Sequence, residues 1–180
     1  MNIRAGLSFK NILYHAKTTP SATASLIIWT IFSVWATIQS NNPWLFIVCI
    51  PFILGLTLIP LKVSKMNRSL SDDLLPQYID STKEYNISEI TKEKVNEKVK
   101  LVGTLDKVIY GISTKPTIRL KDESGKIYAN LIAPIPEDIK KGDTVELYGV
   151  VAKHYYLFGF IGIPKMWKPK IYGIGLIKHY

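Results

Sequence analysis

The sequence predicts a transmembrane α-hairpin followed by a small all-β barrel of five strands in a Greek-key arrangement. Three observations predict it. Positions 18–61, the 44 residues between Lys17 and Lys62, contain no Asp, Glu, Lys or Arg. The polar break Ser40-Asn41-Asn42-Pro43 divides that run into two apolar arms, each about long enough to cross a bilayer. From Lys98 onward the apolar period changes to two, and turn residues recur between short alternating runs.

Residues 1–20 form a basic segment in which Ile3, Leu7, Phe9, Ile12 and Leu13 lie among Arg4, Lys10 and Lys17. That pattern suits an interfacial helix. The hairpin occupies residues 21–65. Its first arm, 21–39, has ~19 residues and spans ~29 Å at the helical rise. The second, 44–61, has ~18 residues and is just sufficient. Asn41, Asn42 and Pro43 suit a tight turn, and Trp44 stands where an indole meets the headgroups. Pro51 predicts a kink in the second arm. The long basic start and the immediate second arm favour a retained anchor over a cleaved signal. Lys and Arg lie before and after the hairpin and none lies in its turn, so both termini and the barrel are expected in the cytoplasm.

The net charge is +9. More than half of it falls in residues 1–66, which hold five basic residues and no acid. Membrane flanks therefore account for much of a charge that otherwise points to nucleic acid. Cys49 is the only cysteine, which excludes an internal disulfide and a cysteine-based metal site.

Residues 66–88 read as a polar linker. Within it Ser69, Ser71, Asp72 and Asp73 could cap a short helix that Pro76 disturbs. The barrel is expected over 89–180. Val99, Leu101, Gly103 and Leu105 alternate with Lys100, Val102, Thr104 and Asp106 as the first strand. Residues 111–116 make a turn, and 117–121 the second strand. Asp122-Glu123-Ser124-Gly125 closes a hairpin onto a third strand at 126–131. Pro134 and Pro136 mark a connection with at most one helical turn at 137–139. The fourth strand is 144–152, and the fifth 171–177.

Lys100-Leu101-Val102-Gly103-Thr104-Leu105, Ile118 through Ile127 with its Asp122-Glu123-Ser124-Gly125 turn, and Lys141-Gly142-Asp143-Thr144-Val145-Glu146-Leu147-Tyr148-Gly149 resemble the OB-fold, in particular its tRNA-anticodon-type nucleic-acid-binding branch. The resemblance covers roughly residues 86–180. It implies a ligand laid across the second and third strands and the neighbouring loops. A second resemblance, on Ile127-Tyr128-Ala129 and Ile139 through Val145 behind a membrane hairpin, is to NfeD-like membrane proteins. It implies an adaptor for a membrane protein partner or for a homo-oligomer.

On the expected face, Thr117, Arg119 and Lys121 point outward from the second strand, and Lys126, Tyr128 and Asn130 from the third. Arg119 with Tyr128 offers a cation beside a stacking ring. After the fourth strand, residues 153–170 mix four lysines and His154 with Tyr155, Tyr156, Phe158, Phe160 and Trp167 and contain no acid. Three readings of this stretch stand open: completion of the barrel core, contact with anionic lipid, and binding of nucleic acid or protein. The candidate ligand-binding residues are Arg119, Lys121, Tyr128, Asn130, Lys153, Tyr155, Tyr156, Trp167 and Lys168. His154 and His179 read as surface histidines. No Ser/His/Asp arrangement, Cys/His pair or HExxH motif is present, so the sequence predicts neither an enzyme nor a cofactor or metal site. The expected partners are the lipid bilayer, with single-stranded nucleic acid or a membrane protein at the barrel.

Overall fold

The computed structural model of the chain describes residues 19–110, 115–158, 161–164 and 169–179. The chain divides into two compact units, Met1–Met66 with Tyr110–Thr114, and Asn67–Ile109 with Lys115–Tyr180.

In the first unit, α1 (Pro20–Ser40) carries Pro20 in its first turn, where a missing N–H costs nothing. Its 21 residues extend about 31 Å. Asn41 ends it in the left-handed conformation, with φ 49°, and its N–H donates to the Ile38 carbonyl. Three residues on, the Trp44 N–H donates to the Asn42 side chain where α2 (Trp44–Ser81) starts. The polar break therefore works as a C-cap and an N-cap back to back. Both helices are long and apolar enough to cross a membrane, by length and composition. Ile28, Phe32, Trp35, Ile38, Phe52 and Leu58 leave most of their surface uncovered. In water such a surface is costly; against lipid tails it is neutral.

α2 is helical without a break through Pro51, Pro60 and Pro76 to Ser81, so most of the expected linker is helix. The reason lies in the second unit. Asn67, Ser71, Leu74, Leu75 and Tyr78 recur every three or four residues and form one face. Leu74 and Tyr78 pack on Ile132, Ala133 and Ile174 of the barrel. Gly175 makes room for this: a Cβ there would lie 2.6 Å from Leu75 Cδ1. Tertiary packing outweighs the missing N–H of Pro76, which stands on the exposed side.

Three expected strands are found with the expected bounds: β3 (Thr117–Lys121), β4 (Lys126–Leu131) and β5 (Thr144–Ala152). β2 (Lys98–Ile109) runs three residues beyond Asp106, and the last, β8 (Lys170–Lys178), is one residue longer at each end. The sequence reading misses β1 (Lys83–Tyr85), which pairs in parallel with β2, and the single-turn 3-10 helices Ile87–Glu89 and Lys92–Lys94. The sheet runs β1-β2-β3-β4-β8-β5, and a further β5–β2 pairing closes it. All barrel pairs are antiparallel except β4 with β8. Five strands closed in this Greek-key order form an OB-fold. Alternate residues fill its core, with Val99, Leu101, Leu105, Ile118, Leu120, Leu147, Val145, Val151 and Ile171 all fully buried.

The outer turns are tied by side chains. Asp122 accepts from the Ser124 and Gly125 N–H groups and, across the sequence, from the Ile87 N–H. One carboxylate thus closes the β3–β4 hairpin and holds the segment after β1. β6 (Tyr155–Phe158) and β7 (Ile161–Pro164) pair with each other in a separate two-stranded sheet.

Candidate nucleic-acid interface

The outer face of β2, β3, β4 and β8 is set by register. Lys107 stands opposite Arg119, and Arg119 opposite Tyr128. Thr117 stands opposite Asn130, and Asn130 opposite Tyr172. Lys121 pairs with Lys126 at the end of the hairpin. On β3, β4 and β8 each of these positions alternates with a buried one, so all lie outside the barrel, and Lys107 on β2 is exposed beside them. Tyr128 is 37% exposed and Tyr172 39%. Two rings on neighbouring strands are thus presented to solvent within a field of lysines.

Arg119 is held rather than free. Its Nε donates to Asp106 Oδ2 at 2.6 Å, and its Nη2 lies 2.6 Å from the same oxygen. Its Nη1 donates to the Tyr128 hydroxyl at 3.3 Å, and the guanidinium carbon lies 5.9 Å from the Tyr128 ring centre. The hydrogen bond from Arg119 holds the Asp106 carboxyl below its ordinary range, so the pair is ionised at neutral pH and carries no net charge. Asp106 comes within reach because the β2–β3 register shifts between Leu105 and Lys107. Beside this pair, the Thr117 hydroxyl donates to Asn130 Oδ1 at 3.2 Å and fixes that carboxamide.

The structure therefore brings together four of the sequence-predicted residues, Arg119, Lys121, Tyr128 and Asn130. Lys153 follows β5 and is exposed. Tyr155 and Tyr156 belong to β6, of which the backbone is described. Trp167 and Lys168 lie outside the described residues. Sequence reasoning missed Asp106, Lys107 and Tyr172. A signal for Tyr172 was present: with Ile171 inward on the fifth strand, its neighbour faces outward.

A second polar cluster lies on β1, β2, β5 and the end of β8. Lys100 Nζ sits 3.1 Å from Glu84 Oε2 and 3.2 Å from Glu146 Oε1. Glu146 Oε1 is also 2.8 Å from His179 Nδ1, and its Oε2 accepts from the Tyr148 hydroxyl at 2.7 Å. Burial works to raise the Glu146 carboxyl, but the hydrogen bonds from Tyr148, His179 and Lys100 outweigh it and hold the group low. Burial and the Glu146 carboxylate push the Tyr148 phenol up to about 12. These groups satisfy one another and pin four strands together. His179 is thus a structural partner of Glu146. Among the described residues no group of His, Cys, Asp and Glu could hold a metal ion.

No protein-family profile and no curated protein matches the chain. Solved structures do resemble it. A putative aspartyl-tRNA synthetase from Leishmania major Friedlin has 12% identity and TM-score 0.41, over 56% of this chain and 22% of that one. Asparaginyl-tRNA synthetase from Pyrococcus horikoshii has 15% identity and TM-score 0.42, over 53% and 23%. A telomere capping protein from Saccharomyces pombe has 17% identity and TM-score 0.38, over 54% and 81%. The match spans under a quarter of the length of either synthetase. The OB-fold assignment rests on the strand order and pairing described above.

Proposed function

We propose that the chain is a bilayer-anchored OB-fold module that binds single-stranded nucleic acid across the outer face of β3, β4 and β8. The observation that carries this reading is the pair of exposed rings, Tyr128 and Tyr172, set on adjacent strands, with Lys107, Lys121 and Lys126 on the Tyr128 side of the same face. Bases stack on such rings whatever their identity, while the lysines meet phosphates. Asn130 neighbours both tyrosine positions and, with Thr117 beside it, supplies polar edges. The helices α1 and α2 are read as the anchor. The lysines and Arg68 that flank them favour a topology with both ends of the hairpin on the cytoplasmic side. Modification of cysteines introduced at both ends by an impermeant reagent tests the orientation; labelling of either end from the outer side would refute it. The proposed activity is binding, with no catalytic step.

The test is titration of the full chain, in nanodiscs, against fluorescent single-stranded RNA, single-stranded DNA and a duplex. Micromolar or tighter binding to single strands is expected. Its logarithm should fall with log salt by about 0.7 per phosphate contacted. Replacing both Tyr128 and Tyr172 by Ala should weaken binding by at least about tenfold, since each stacked base contributes roughly 1–3 kcal/mol. Absence of binding at low salt would refute the reading, as would unchanged affinity in the double variant.

A further inference from the structure

β6 and β7 form a hairpin whose backbone pairing lies outside the barrel sheet. Tyr155 pairs with Pro164, Tyr156 with Ile163, Leu157 with Gly162 and Phe158 with Ile161. Neither strand joins the six-stranded sheet. An isolated two-stranded hairpin is marginal in water and needs a surface to cover one face. Positions 155–164 contain no charged residue. Base stacking favours rings interleaved with cations, whereas Leu157, Ile161, Gly162 and Ile163 supply neither.

We propose that this hairpin is a second membrane contact, which seats its uncharged strands in the interface of an anionic bilayer. Three observations fit that occupant. Lys153 and Lys170 precede and follow it in the sequence, and no Asp or Glu stands after Glu146 to offset them locally. Each strand has four residues and is about 13 Å long, enough to pass the ~5–10 Å depth at which interfacial elements sit. And only residues 62–66 separate the charge-free run from Asn67, the first residue of the barrel unit, so the chain itself keeps lipid within reach. The proposal rests on the bilayer anchoring given above but not on nucleic-acid binding.

The experiment uses the full chain in vesicles. Cys49 is replaced by Ala, and a single cysteine is introduced as Leu157→Cys, or in a control as Glu123→Cys, and labelled with an environment-sensitive fluorophore. Resistance of the protein to carbonate extraction reports the anchor separately. In vesicles containing phosphatidylglycerol, spin-labelled lipid should quench the Leu157→Cys probe several-fold more than the control probe. Aqueous iodide should quench it several-fold less. Adding Ile161→Glu should return it to control behaviour, and an Ile163→Cys label should repeat the Leu157→Cys result. Iodide quenching as strong at position 157 as at 123, in carbonate-resistant protein, would overturn the proposal. Equal lipid quenching in purely neutral vesicles would overturn its anionic part. Protection of the probe by single-stranded RNA, without lipid quenching, would overturn it in favour of a nucleic-acid arm.

Discussion

Replacing Asp106 by Asn should strengthen the binding of single-stranded nucleic acid. In the native protein Asp106 occupies two guanidinium nitrogens of Arg119, both at 2.6 Å from one carboxylate oxygen. An ionised partner at that distance competes directly with phosphate. Asn keeps the shape, removes the negative charge and leaves Arg119 one uncompensated positive charge on the binding face. If that charge meets one further phosphate, the slope of log affinity against log salt steepens by about 0.7. Between 1 M and 0.1 M salt this amounts to a gain of about fivefold. Fluorescence anisotropy of the full chain in nanodiscs, over a salt series, reads both quantities. Arg119→Ala alone should weaken binding, because it leaves the Asp106 charge facing the phosphates. The double variant, which removes both charges, should return to the native slope. An unchanged slope in Asp106→Asn, or weaker binding, would refute the view that the pair holds a phosphate-binding arginine in check.

Three further outcomes follow from the packing. Gly149→Ala should destabilise the barrel by roughly 1–3 kcal/mol or more, read as a lower melting temperature, because the new Cβ would lie 2.4 Å from the Tyr172 carbonyl oxygen and 3.0 Å from Gly173 Cα, both backbone atoms that cannot swing aside. Ser71→Ala should cost roughly 1–3 kcal/mol in denaturant unfolding, because Ile174 is the extra residue where the β5–β8 register slips, and the buried Ser71 hydroxyl donates to its carbonyl. For Asp122, burial raises the carboxyl, but the N–H groups of Ile87, Gly125 and Ser124 with the Ser124 hydroxyl outweigh it and hold the folded-state value low. Its contribution is therefore present above the unfolded value of about 3.9 and lost as pH falls through the folded one, so the melting difference between native protein and Asp122→Ala should shrink below about pH 4.

The barrel was legible because its strands obey one rule. Ile118 and Leu120 inward, Arg119 outward, and the Asp122–Gly125 turn after them, are visible as a period of two and a hairpin signal. The hairpin turn was legible for the same kind of reason, since Asn41 and Asn42 are cap residues on both sides of a break. The helix over residues 67–81 was not. Two of its buried positions are Asn67 and Ser71, so an apolar-only count sees no stripe, and Pro76 argues locally for an end. Ser71 is buried where its hydroxyl meets the Ile174 carbonyl of the barrel, which no local pattern shows. The candidate face was half legible. Alternation gives Arg119, Tyr128 and Asn130, but the Asp106–Arg119 pair depends on a register slip in β2, and slips leave no mark when the flanking residues are ordinary strand formers. Lys107 was lost with the same slip.

The claim that the tyrosine face of β4 and β8 is where nucleic acid lies is tested most directly by photo-crosslinking. The full chain in nanodiscs would be irradiated with a single-stranded RNA carrying photoactivatable bases, and the modified peptides mapped. Crosslinks concentrated at Tyr128 and Tyr172, and lost at high salt, are the predicted result. Crosslinks spread over the barrel, or confined to Lys98 and Lys100 on the opposite part of β2, would contradict the account.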